Sequence, residues 1–280
     1  MRNSTADAWG GFTAALIAIP HAMGLGLLAF AALGPAYAPV GVAAGLLSVV
    51  VGNLVGGLLP SARCQLMGAR TSATVVFAGI IAALAVHPAL QAGSGPDVPK
   101  VLTLAFMSLF LAGVIQMLFG LMGLGRIIKF VPYPVIAGFM NGIAILMLVS
   151  QVAPALGLEA GKTVQEIFTG SQAIRPASLL VTGIVVAAIY AVPRFTQKFP
   201  ALLCGLLLGV IVHHLLAWLA PASVGPLVGA LPTAGFAPRE LVAMIHLAGT
   251  EPLVIWLVYL LPGTALLAAV VALDGLLAAV

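Results

Sequence analysis

The chain has 280 residues, of which 62% are apolar and only 6% charged, with a formal net charge of +4. A soluble domain carries roughly 25% charged residues to keep its surface hydrated, so this composition excludes one. Its apolar stretches are instead about as long as the ~20 residues that cross a bilayer's hydrocarbon layer as a helix, the element that satisfies its own backbone polar groups there.

In chain order the runs predict eight spans: Phe12–Leu33, Pro39–Leu59, Leu66–Val86, Val101–Leu124, Val131–Gln151, Ala177–Val192, Phe199–Ala220 and Pro252–Val280. The last is long for one crossing, so an interfacial portion is expected before the true span at about Leu261. The first run lacks a strong basic lead and a small-x-small cleavage site, and reads as an uncleaved span. The division expected is a cytoplasmic tail at 1–11, spans one to seven at 12–220, an outer loop and interfacial segment at 221–260, and span eight at 261–280. Thirty-two glycines and 19 prolines suit membrane helices better than soluble ones.

Basic residues set the orientation. With the N-terminus inside, the inner segments hold Arg2, Arg63, Arg126, Lys129, Arg194 and Lys198 against Asp7. The outer loops hold Lys100, Lys162, Arg175 and Arg239 against Asp97, Glu159, Glu166, Glu240 and Glu251. The N-terminus is therefore expected in the cytoplasm, and the positive net charge reflects topology and implies no nucleic-acid partner. Cys64 and Cys204 show no metal or redox spacing and read as small packing residues. The sequon Asn3-Ser4-Thr5 falls on the inner side.

Glycines four apart (Gly41 and Gly45, Gly52 and Gly56, Gly205 and Gly209) let helix backbones approach closely in lipid. The first and third spans carry a different signal. In the first, Pro20 removes a backbone donor, Gly24 and Gly26 are expected to loosen the next turns, and His21 stands beside the break. In the third, Gly68 lets an extended segment turn into a helix whose first turn is expected to hold Ala69, Arg70, Thr71 and Ser72. Freed amides and the positive end of the helix dipole make such a start an anion seat. Asp274 lies deep in the last span with no base nearby in sequence; an aspartate at a helix centre costs about 2.5–3.5 kcal/mol on insertion scales. Asp274, Arg70 and His21 are therefore the functional candidates. Neighbouring His213 and His214 point in different directions on a helix, and His87 and His246 read as interfacial.

Several motifs resemble those of SulP, the sulfate-permease or solute-carrier 26 family: His21 to Leu33, GARTSAT at Gly68 to Thr74, and above all LAGVIQMLFGLMGLGRIIKFVPYPVIAGFMNGIAI at Leu111 to Ile145. VGALPTAGFAP at Val228 to Pro238 resembles the loop before span eight, and ALDGLLAAV at Ala272 to Val280 its acidic motif. The resemblance implies an all-α polytopic bundle, the first half of a seven-plus-seven inverted-repeat transporter of the uracil-permease-like fold. Residues 12–220 would then be the first repeat and 261–280 the truncated start of the second. It also implies transport of a small inorganic anion such as sulfate or bicarbonate by alternating access, in a homodimer of the bacterial plasma membrane. His21, Leu25, Ala69, Arg70 and Thr71 stand at substrate positions and Asp274 at that of a coupling carboxylate.

Three departures qualify this. Ala69 replaces a proline, and His21 replaces a glutamine with a group that titrates near neutrality. Gly275 and Ala278 lack hydroxyls that would help ligate sodium, which favours a proton as coupling ion. Spans nine to fourteen and a STAS domain are not in the sequence, so an incomplete transporter is expected. The alternatives are a nucleobase transporter of the same fold and a non-transporting fragment. No Gly-x-Ser-x-Gly or His-Glu-x-x-His motif suggests an enzyme, and no cofactor is implied.

Overall fold

Each long apolar run forms a helix in the computed structural model, which describes residues 4–58, 68–92, 95–123, 132–158, 175–195, 200–220 and 253–278. Among these are eight α-helices: α1 (Ser4–Phe30), α2 (Ala38–Leu58), α3 (Thr71–Ala85), α4 (Val98–Leu121), α5 (Tyr133–Ala155), α6 (Pro176–Phe195), α7 (Ala201–Leu219) and α8 (Leu253–Ala278). Five segments, those of α1, α2, α4, α6 and α7, are long and apolar enough to cross a membrane. A two-residue antiparallel pair, Gln91–Ala92 with Gly95–Pro96, joins α3 to α4. Arg63, Cys64, Arg126, Lys129, His246 and the motif at Val228 to Pro238 lie outside the described residues.

Proline and glycine set several helix ends. Asp97 caps α4 by accepting the Lys100 amide at 3.4 Å, with Pro99 in the first turn, where a missing N–H costs nothing. Gly157 ends α5 at φ 76°, and its amide and that of Leu158 return to the carbonyls of Pro154 and Ala153 at 3.0 and 3.1 Å. This closure needs a left-handed residue, which glycine adopts without strain.

One expectation from sequence changes. The first span is not broken at Pro20, since α1 runs through it to Phe30. A membrane helix tolerates the lost donor, and Gly26 serves contact, not looseness: a Cβ there would strike the Gly41 carbonyl of α2. The last helix, Leu253 to Ala278, continues through Pro262 and lies within the run expected from Pro252.

The core forms where distant parts of the chain meet. Phe30 of α1, Phe77, Ile81 and Leu84 of α3, Val101 and Ala105 of α4, and Leu267 and Ala268 of α8 are buried together. The α3 and α8 helices run antiparallel: residues at the start of α3 touch Asp274 near the end of α8, while His87, just past α3, lies 4.9 Å from Tyr259 near the start of α8, ring centre to ring centre. The α1–α2 and α6–α7 pairs close differently. Gly41 and Gly45 of α2 lie against the backbone of Gly26 and Ala22, and Gly205 and Gly209 of α7 against Ile189 and Val185 of α6. Most large apolar residues outside these seams, such as Phe110, Phe195 and Trp218, are exposed, as lipid-facing side chains should be.

Gly45→Ala places its methyl on the Ala22 carbonyl, whereas a methyl at Gly57 of the same helix meets nothing within 4 Å. In detergent, Gly45→Ala should lower the melting temperature by several degrees. Gly57→Ala should leave it unchanged or raise it slightly, since alanine favours helix by about 1 kcal/mol. Equal melting of the two variants would contradict the close α1–α2 contact.

Candidate functional site

The site begins where α3 starts late. Its first helical residue is Thr71, and Arg70 is the N-cap in extended conformation, φ −113° and ψ 142°. Ala69 and Arg70 therefore precede the first turn, a correction to the expectation that they form it. The first intrahelical bond runs from the Thr74 amide to the Arg70 carbonyl at 2.9 Å, so the Ser72 and Ala73 amides lie ahead of it at the positive end of the helix. The approach to α3 is tight, because a Cβ on Gly68 would sit 2.8 Å from Val49 Cγ2 of α2. The 15 residues of α3 rise only about 22 Å, less than the ~30 Å hydrocarbon layer, so this helix alone does not span it.

Opposite that start stands the carboxylate of α8. Arg70 Nη1 lies 3.5 Å from Asp274 Oδ2 and donates to the Asp274 backbone carbonyl at 3.1 Å. Ser72 Oγ donates to Oδ2 at 2.9 Å. The base that Asp274 lacks in sequence is thus supplied by Arg70, 204 positions away. The ion pair is partly shielded, its side chains 24% and 18% exposed, while Ser72 is buried. The contact is one-sided. A guanidinium carries five N–H donors, and among the described residues only Nη1 finds an acceptor. Nε and Nη2 have no protein acceptor there.

The other candidates are placed less centrally. His21 lies on an exposed part of α1 and makes no hydrogen bond or ion pair among the described residues, whereas Leu25, one turn on, is buried. Ala69 and Thr71 flank Arg70, both half-buried. No hydrogen bond or ion pair joins His21 or Leu25 to the Arg70–Asp274 pair among the described residues. Sequence reasoning does not select Ser72 as a ligating residue. The available signal is a hydroxyl in the first turn of a short apolar helix. Rings of His213 and His214 stand 5.7 Å apart, and no group of three metal-ligating side chains occurs among the described residues.

Breaking the pair from one side leaves a charge in a poorly solvated place. Arg70→Gln or Asp274→Asn alone should destabilise the protein in detergent by about 1–3 kcal/mol, the partial exposure keeping the loss below that of a fully buried pair. The double variant should lose less than the sum of the two singles, and a thermal double-mutant cycle measures the difference. Strict additivity would show that the two groups do not interact.

Comparison with known proteins agrees with this arrangement of helices. Residues 5–277 match the profile of the sulfate permease family. The bicarbonate transporter BicA of Picosynechococcus sp. is 32% identical over 217 residues, covering 75% of this chain and 36% of the relative. The putative sulfate transporter YvdB of Bacillus subtilis is 28% identical over 237 residues, covering 81% of this chain and 39% of the relative. The chain thus spans well under half the length of these relatives. The solved transmembrane domain of a cyanobacterial bicarbonate transporter BicA superposes with a TM-score of 0.62 at 27% identity, covering 99% of this chain and 72% of that one. With a family match over nearly its full length and the bundle seen in a solved relative, this chain belongs to the sulfate permease family.

Proposed function

We propose that this chain is part of a secondary active transporter of small inorganic anions, sulfate or bicarbonate among them, working by alternating access. The observation that carries the proposal is the guanidinium of Arg70, with donors to spare, at the start of a helix too short to cross the bilayer. Unpaired N–H groups and the positive end of a helix dipole favour an oxyanion there. Helix starts that face a midplane site are a recurring transporter device. The names of the relatives point to the same substrate class: a bicarbonate transporter and a putative sulfate transporter.

In this proposal Ala69, Arg70 and Thr71 line the substrate position, His21 and Leu25 approach it from the first span, and Asp274 couples transport to an ion. A proton suits Asp274 better than sodium. Neighbouring Gly275 offers no hydroxyl to complete a sodium shell. The eight helices would be eight spans with a cytoplasmic N-terminus. Spans one to seven would form the first inverted repeat, and the protein would work as a homodimer in the plasma membrane. A nucleobase substrate is disfavoured, because an uncharged ring would leave the Arg70 charge unanswered.

Purified full-length transporter containing this chain should, in liposomes, take up labelled sulfate or bicarbonate when a proton gradient is imposed. Arg70→Ala should lower uptake at least about tenfold, the loss of a charge-assisted contact. Asp274→Asn should leave any remaining flux indifferent to the gradient. Failure of both anions under every proton and sodium gradient would overturn the proposal, and competition by uracil would favour the nucleobase alternative. Topology is open to a separate check. A cysteine at Ser4 should be labelled by a membrane-impermeant reagent only after the cells are opened, and one at Gly95, between α3 and α4, in intact cells. The reverse pattern would invert the orientation.

A further inference from the structure

We propose that the Asp274 carboxylate is a tethered occupant of the anion seat, held by Arg70 and Ser72, and that a substrate anion binds by displacing it. This rests on the proposal that the start of α3 is the anion seat. The two side-chain donors that reach into the seat converge on one oxygen: Ser72 Oγ at 2.9 Å and Arg70 Nη1 at 3.5 Å both face Asp274 Oδ2. A carboxylate and a small oxyanion present the same acceptors, so whatever satisfies these donors from α8 competes with whatever arrives from water.

The rest of the local geometry suits an exchange. Nε and Nη2 of Arg70 have no acceptor among the described residues, so an incoming anion has donors to engage before Asp274 leaves. The carboxylate also keeps some access to its surroundings, its side chain being 18% exposed. Ser72 acts here as a positioning residue: its hydroxyl, in a buried residue, holds Oδ2 against the guanidinium. Because Arg70 caps α3, Ser72 lies in its first turn and Asp274 is on α8, displacement would also release one end of the α3–α8 contact. The His87–Tyr259 ring contact at the opposite end of the two helices, 4.9 Å between centres, does not involve the seat.

The inference predicts that removing the tethered anion tightens binding, whereas an Asp274 that helped to hold the substrate would weaken binding when removed. If Asp274 occupies the seat about nine-tenths of the time, the apparent Kd for an added anion is raised about tenfold. Titration calorimetry of the purified protein in chloride-free buffer, with sulfate and with bicarbonate, should therefore show Asp274→Asn binding about tenfold more tightly than the parent. Ser72→Ala keeps both charges and only loosens the tether, so it should bind a few-fold more tightly. Added formate should raise the melting temperature of Asp274→Ala by filling the vacated carboxylate position, and leave that of the parent unchanged. Should Asp274→Asn prove too unstable to purify, Ser72→Ala decides: equal or weaker binding than the parent overturns the tether. Binding to the parent with unchanged or weaker binding to Asp274→Asn overturns the tether and leaves the anion seat standing. Absence of binding of either anion to the parent and to both variants overturns the anion seat, and the tether with it.

Discussion

A carboxylate in an apolar helix has to be answered by something, and in this chain the answer comes from the other end of the sequence. Asp274 on α8 meets Arg70 and Ser72 at the start of α3, which ties together two helices separated by most of the polypeptide. The rest of the bundle is compatible with that contact only in one arrangement. The α8 helix must run antiparallel to α3, so that Leu267 and Ala268 enter the core beside Ile81 and Leu84 while Asp274 reaches the α3 start. That start must in turn be a helix terminus and not a continuous span, or the guanidinium would have no oriented amides beside it.

Two kinds of packing divide the work. In lipid no hydrophobic force pulls helices together, so contact rests on fit. The α1–α2 and α6–α7 seams use glycine to bring backbone against backbone or side chain. The α3–α4–α8 region instead interlocks large residues, among them Phe77, Ile81, Leu84, Val101 and Leu267. The polar contact sits at the end of this interlocked part, where a one-turn displacement of α8 would break it without disturbing the glycine seams.

How much of this is legible in the sequence depends on the range of the interaction. Hydrophobic run length is local, and each of the eight runs overlaps an observed helix. Gly68 signals the helix start at Thr71 but not its register, because whether Ala69 and Arg70 join the first turn depends on how the chain passes Val49. Pro20 misleads in the opposite sense: a missing donor does not by itself end a helix, and α1 continues through it to Phe30, with Gly26 packed against Gly41. Arg70 and Asp274 are each conspicuous as charges in apolar surroundings. That they answer one another is not readable, since no local pattern records a contact 204 residues long. Ser72 escapes notice for the same reason, its importance lying wholly in the partner its hydroxyl finds.

The form of the contact also bears on why it exists. A partly buried ion pair is a poor route to stability, because apolar side chains of similar volume commonly serve as well or better. Where an arginine and a carboxylate do serve as a structural clamp, they tend to meet fork to fork, two nitrogens against two oxygens. Here a single nitrogen faces a single carboxylate oxygen at 3.5 Å and shares itself with a backbone carbonyl, while the serine hydroxyl supplies the shorter bond. Among the described residues the guanidinium keeps most of its donors unspent, and both charged side chains retain some access to their surroundings. A clamp would be closed on both sides. Among the described residues this contact is open on the side of the arginine, which is the geometry that the proposed exchange of its occupant requires.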